Sequence, residues 1–386
     1  MNNIFLIVLD SARKDFIFNN IKDNFPELKT DFVDFNNCWS IYTSTFLSHY
    51  TIFFGDYINK SENENFPAQL KSLGYKSRSY CNYAVMLGYP FESEFKTSKK
   101  NHRIPTKEQM IKDLGIQPLK NWKRAKFGSY LKDYHGAADD ENMNIPSEWE
   151  NYIHTNKEKK NFMFLHFWKT HHNYEINRYL QNKIIGKNYR EIGASLIKRI
   201  VKKELTEHFV RKIYSKQIYE VFNKYIKKMI KILQETGIYN DSLIIITSDH
   251  GEGLGDIGKY CNYGLYYLYN LTKRILNKIR TKISFIPDIR RFYCCRWDHV
   301  VFYHNGDYKL QKFIPLFIKF PGNEFGGRIY NHKVTLFDLI NTINDLTDNK
   351  IDVRSNNGFS LYNLLKEGDI AREKQKIFRS IRKIKF

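Results

Sequence analysis

Two apolar runs stand out along the chain, and each ends in an acidic residue. The first, Ile4–Leu9 (IFLIVL), runs into Asp10-Ser11-Ala12-Arg13-Lys14-Asp15; the second, Leu243–Ile246, runs through Thr247-Ser248 into Asp249-His250-Gly251-Glu252. Continuous β-branched runs of this length, closed by turn residues, predict strands buried on both faces, as in a parallel sheet. Between them, Glu207–Gly237 carries Tyr214, Ile218, Val221, Tyr225, Met229 and Leu233 at three- and four-residue steps. That spacing predicts one long amphipathic helix, with Gly237 marking its end. In open α/β sheets, ligands sit beyond the carboxyl ends of the strands, where Asp10, Asp249 and His250 would project. A carboxylate beside an imidazole suits a divalent cation. The competing reading is local: an aspartate after a strand also caps helices.

Composition narrows the partners. The chain has 386 residues, 42% hydrophobic and 16% aromatic, enough for one large α/β domain with a smaller appendage and too apolar for a disordered chain. A formal charge of +21 favours anions: phosphate or sulfate esters, acidic glycans, anionic lipid or nucleic acid. No nucleic-acid recognition motif accompanies that charge, so no specific nucleic acid is expected. Cys38, Cys81, Cys261, Cys294 and Cys295 are odd in number and lack CxxC spacing, which argues for reduced thiols and a cytoplasmic setting. MNNIFLIVLD has no basic leader and no cleavage site, and no stretch reaches the roughly 20 apolar residues of a bilayer span.

Two further stretches bear on function. Thr43, Ser44, Thr45 and Ser48 precede His49 and an apolar run, an order that can put a hydroxyl at a helix N-terminus, where anions are favoured. Beside a metal, such a hydroxyl is a nucleophile; by itself it is a turn or a cap. Leu268, Leu271, Ile275, Ile279 and Ile283 alternate with Lys273, Arg274, Lys278, Arg280 and Lys282. The basic amphipathic helix predicted over 265–283 would lie on an anionic membrane surface, making the protein peripheral to it, or close over an acidic substrate; it would equally pack on the domain with a solvated basic face.

Taken together, IFLIVLDSARKD, FNNCWSIYTSTFLSHYTIFFG, the Gln69–Tyr75 helix and Gly-Tyr turn, FMFLHFWKTHHNY and the helix–strand–SDHGE succession resemble the sulfatase-type branch of the alkaline phosphatase superfamily. The resemblance implies an alkaline-phosphatase-like three-layer sandwich with a central, mostly parallel sheet and a small, trimmed C-terminal subdomain. It implies a catalytic domain over 1–322, with a basic aromatic insertion at 259–300, and a C-terminal helix and small subdomain over 323–386. Asp10, Thr45, Asp249 and His250 fall on the family's metal ligands, with Thr45 also the nucleophile. His171 and Lys169 fall near the residues that contact the substrate oxyanion. His304 is a further candidate for that role, although Asp298-His299 would serve with a different gap; His166 is read as a polar loop residue.

The activity implied by this resemblance is that of a metal-dependent hydrolase or transferase of phosphate or sulfate esters, of a glycan or a lipid head group, with one Mn²⁺, Zn²⁺, Mg²⁺ or Ca²⁺. Thr45 cannot become the formylglycine of typical sulfatases, Leu47 stands where they have Pro, His49 where they have Arg, and Ser11 where many have a second metal-binding Asp. These departures place phosphoryl chemistry ahead of sulfuryl, similar to lipoteichoic acid synthases and phosphoethanolamine transferases. The alternatives are a glycan sulfatase working without formylglycine, and a catalytically silent relative that binds anionic glycan or lipid.

Overall fold

The computed structural model describes residues 1–17, 21, 23–43, 45–57, 66–80, 145–170, 207–252, 308–351, 355 and 357–368. The predicted strands form the middle of a seven-stranded sheet. β1 is Asn3–Leu9, β2 Val33–Phe35, β4 Lys76–Tyr80, β5 Asn161–Phe167, β6 Ser242–Ser248, β8 Leu316–Lys319 and β9 Ile329–Tyr330, in the order β4-β5-β1-β6-β8-β2-β9. The four strands from β4 to β6 run parallel; β8 is antiparallel to both neighbours, and β9 is parallel to β2. Three short strands, β3 (Cys38–Trp39), β7 (Phe313–Ile314) and β10 (Val334–Thr335), make a second small sheet in the order β10-β3-β7.

The two-residue period of β1 splits its side chains between two cores. Phe5, Ile7 and Leu9 enter one with Met163, Leu165, Ile244 and Ile246; Ile4, Leu6 and Val8 enter the other with Phe162, Phe164, Leu243 and Ile245. The first core is covered by the predicted long helix. Its apolar residues Tyr214, Ile218, Val221, Met229 and Leu233 are all buried there. The helix is not continuous: Glu207–Val221 and Lys227–Glu235 are α-helical, and Phe222–Ile226 between them forms a π-type turn. Gly237 ends it at φ +76°, with the Ile238 amide returning to the Leu233 carbonyl.

The second core is covered by helices Thr45–Phe54 and Phe337–Leu346, through Ile52, Phe53, Leu339, Ile340 and Ile343. Helices on both faces of a mostly parallel sheet give the three-layer sandwich that the sequence led us to expect. The described residues after 322 build into this body: β9 edges the large sheet, β10 the small one, and Phe337–Leu346 packs in the second core. No described helix is long and apolar enough to cross a membrane.

Candidate metal and nucleophile site

Register assembles the site. Leu9 pairs across with Ser248 and with Phe167, so β1, β5 and β6 end level, and the next residues of β1 and β6 are Asp10 and Asp249. Thr45 enters from the second face, in the first turn of its ten-residue helix. Asp10, Asp249 and His250 are fully buried, and each offers a ligand atom within 4.8 Å of the others. Thr45 Oγ1 lies 3.3 Å from Asp10 Oδ2 and 3.3 Å from His250 Nε2, and His250 Nε2 lies 3.4 Å from Asp249 Oδ2. These spacings match the roughly 3.3–3.4 Å between neighbouring tetrahedral ligands held about 2.0–2.1 Å from one ion.

The surroundings fix which atoms face inward. Asp249 Oδ1 accepts from the amides of Ser11 and His250, both at 2.9 Å, whereas its Oδ2, though buried, has no hydrogen-bond partner. Asp10 Oδ1 accepts from the Ser11 hydroxyl at 2.7 Å. His250 Nδ1 lies 2.8 Å from the Gly251 carbonyl; a carbonyl only accepts, so Nδ1 carries a proton and Nε2 is the nitrogen turned toward the carboxylates. A buried carboxylate oxygen left unpartnered is expensive, and a divalent cation is the partner this donor set suits. The residues present fit a metal.

Hydrogen bonds lock the loops. Ser248 Oγ sits 2.6 Å from the Leu9 and His250 carbonyls and accepts from the Ala12 amide. Tyr214 on the long helix accepts from the Arg13 amide and donates to the Ser11 carbonyl at 2.6 Å, which holds Ser11 at φ +61°. Ser40 Oγ donates to the Asp249 carbonyl. Gly251 is pressed against the helix Tyr308–Lys312: its amide donates to the Gln311 carbonyl at 2.6 Å, and a Cβ there would stand 2.6 Å from the Leu310 carbonyl oxygen.

Two histidines line the site from behind. His166 is not a loop residue: it lies inside β5, fully buried, with Nε2 3.1 Å from Asp10 Oδ2 but not aligned for a hydrogen bond. A polar residue within an apolar strand carries no periodic signal of its own, which is why the pattern hid it. His49 is buried on the Thr45 helix with Nδ1 2.7 Å from the Thr45 carbonyl, and its ring meets that of His166 edge-on at 5.2 Å. Burial, and then the neighbouring His166, pushes His49 down to about 3; burial pushes His166 down to about 4 against the pull of Asp249.

Both imidazoles are therefore neutral at pH 7. The unfolded chain takes up their protons as pH falls below about 6.5 while the folded chain resists, so acid favours unfolding. In metal-stripped protein, urea titrations should show stability falling between pH 7 and pH 5. His49→Phe should reduce that fall by about 2 kcal/mol, because one titrating group is gone. An unchanged slope in the variant would mean that His49 is protonated in the folded state.

Of the other expected site residues, Lys169 is described in an ion pair with Glu220 of the long helix at 3.5 Å. His171, His299, His304 and the basic stretch 265–283 lie outside the described residues. Sequence reasoning gave His166 and Tyr214 no part in the site and marked Ser11 only as standing where many sulfatases have a second metal-binding Asp; the contacts each makes depend on a backbone or strand position that residue type does not reveal.

The Sulfatase family model matches residues 2–349. No curated protein sequence matches the chain. Among solved structures, the fold is similar to a phosphonate monoester hydrolase from Silicibacter pomeroyi, at TM-score 0.56 and 16% identity over 95% of this chain and 76% of that one. It is also similar to a putative sulfatase from Bacteroides fragilis, at TM-score 0.55 and 14% identity over 94% and 77%. A third, solved in complex with its substrate D-glucosamine-2-N,6-O-disulfate, gives TM-score 0.54 and 13% identity over 94% and 80%.

Proposed function

The chain belongs to the Sulfatase family, and we propose that within it this protein is a metal-dependent phosphoester hydrolase or phosphotransferase that uses Thr45 as its nucleophile. The observation that carries this reading is the convergence of Thr45 Oγ1, Asp10 Oδ2, His250 Nε2 and the unpartnered Asp249 Oδ2 in one buried seat. A divalent cation bound there would lower the pKa of a ligated hydroxyl and offset charge on the ester oxygens.

The chain's own groups do the rest. Asp10 Oδ2 accepts the Thr45 hydroxyl proton and orients the oxygen. The N-terminal turn of the ten-residue Thr45 helix favours the negative charge of the approaching ester. Thr45 Oγ1 attacks phosphorus, the bond to the leaving oxygen breaks, and an ester on Thr45 remains until water or an acceptor hydroxyl displaces it. Lys169, His171 and His304 are our candidates for stabilising the equatorial oxygens. Phosphorus is preferred to sulfur because threonine cannot supply the aldehyde on which typical sulfatases depend. The net charge of +21 supports an anionic glycan or lipid head group as the substrate.

The test is turnover of matched aryl phosphomonoester, phosphodiester and sulfate substrates by metal-stripped protein supplied with Zn²⁺, Mn²⁺, Mg²⁺ or Ca²⁺. We expect metal-dependent cleavage of a phosphoester and slower cleavage of the sulfate. Faster sulfate cleavage would replace the phosphoryl reading with a formylglycine-free sulfatase. No turnover with any metal, in protein that binds none, would leave an anion-binding relative as the account of this site.

A further inference from the structure

The small sheet beside the site has two unlike faces. Cys38, Ile314 and Val334 turn into the second core, and the two-residue period of β3 and β7 turns Trp39 and Phe313 the other way, where both are half-buried. Their rings pack together, with centroids 5.4 Å apart and planes tilted by 45°. Two cations border them. Lys333 Nζ stands 5.1 Å from the centre of the Trp39 ring, and Lys312 directly precedes Phe313. Burial, and then the charge of Lys333, push Lys312 down to about 8. Asparagine amides edge the same ring: Asn37 Oδ1 accepts from Trp39 Nε1 at 2.5 Å, and Asn37 Nδ2 donates to the Asn331 carbonyl at 3.3 Å.

Backbone contacts join this patch to the seat. Trp39 is followed by Ser40, whose amide donates to the Lys312 carbonyl at 2.7 Å and whose hydroxyl donates to the Asp249 carbonyl. Two lysine charges held near each other in a half-buried place favour an anion beside them, because it offsets their repulsion. An indole face takes the flat, C–H-lined side of a ring, and side-chain amides, with both donors and acceptors, suit hydroxyl groups. The amides favour a polyhydroxylated ring over a bilayer surface, which would engage the lysines and the indole alone. We propose that Trp39, Lys312 and Lys333 form a second binding subsite, which holds a saccharide ring bearing its own acidic group next to the ester in the seat. The substrate is then a glycan that carries a second anionic group beside the one that reacts. The inference narrows the substrate class proposed above, and it rests on that reading for what occupies the seat.

The test is calorimetric titration of a sulfated oligosaccharide, its desulfated counterpart, phosphatidylglycerol vesicles and a single-stranded oligonucleotide into the full chain. The proteins compared are the wild type, Trp39→Ala and the double variant Lys312→Gln with Lys333→Gln, each checked for folding by circular dichroism. The wild type is expected to bind the sulfated saccharide about tenfold or more tightly than the desulfated one. The double lysine variant should erase that difference, and Trp39→Ala should weaken both saccharides by about tenfold. Should Trp39→Ala fail to fold, the lysine variant alone decides. Unchanged saccharide affinities in folded variants would overturn the proposal, and so would a wild type that binds neither saccharide. Vesicles or oligonucleotide bound in preference to the saccharides, and released by Trp39→Ala, would overturn it in favour of that partner. Turnover of an aryl phosphoester by the wild type is measured alongside. Trp39-dependent saccharide binding by a chain that cleaves no ester would support the subsite and overturn the catalytic reading of the seat.

Discussion

Thr45→Ala is expected to lower kcat on the preferred ester by about 1,000-fold or more, with metal still bound and the metal-free fold within about 1 kcal/mol of wild type. The two halves of this expectation have separate causes. Thr45 Oγ1 is the hydroxyl that stands 3.3 Å from both Asp10 Oδ2 and His250 Nε2, so its removal takes away the atom proposed to attack. The groups behind it stay intact: both aspartates keep their Ser11 contacts, and His250 keeps its bond to the Gly251 carbonyl. Alanine is also the best helix former, and its methyl replaces a small side chain in the first turn of a helix anchored by Ile52 and Phe53. Steady-state kinetics with the metal content measured alongside separates the outcomes. Retained turnover would mean that a water molecule, not Thr45, attacks the ester.

Asp249→Asn should act in opposite directions on function and on stability. The substitution keeps the shape and leaves an oxygen to accept from the Ser11 and His250 amides, but removes one of two buried carboxylates facing the same seat. Metal affinity should fall by more than about 100-fold, since the charge that offsets the cation is halved. The metal-free protein should become more stable by about 1–2 kcal/mol, because an unpartnered buried carboxylate oxygen beside a second carboxylate is costly. Thermal melts with and without Zn²⁺ read both effects. A variant less stable in both conditions would show that Asp249 serves the fold and not an ion.

The strands that place this site were legible in the sequence. β1 and β6 are unbroken apolar runs, and the aspartates come directly after them, so strand ends and candidate ligands could be read together. The Thr45 helix and the long helix were legible from hydroxyl placement and apolar spacing. The π-type turn at Phe222–Ile226 was not, because Phe222, Tyr225 and Ile226 bury equally well with or without one extra residue in the turn. β3, β7, β9 and β10 have two residues each, too few to show an alternation. The part played by Ser11 depends on a backbone angle, and that of Tyr214 on a contact more than two hundred residues away in the chain. Neither leaves a trace in the order of residue types.

The contact between Gly251 and the Tyr308–Lys312 helix also bears on how such a protein can diversify. The Gly251 amide donates to the Gln311 carbonyl at 2.6 Å, so two points far apart in the chain are fixed together beside the site. Closing a flexible segment between fixed ends costs only about 0.6 kcal/mol more for each doubling of its length. Relatives that keep this contact can therefore differ in the number of residues between its two partners at little entropic cost, while β6, Asp249 and His250 stay where they are.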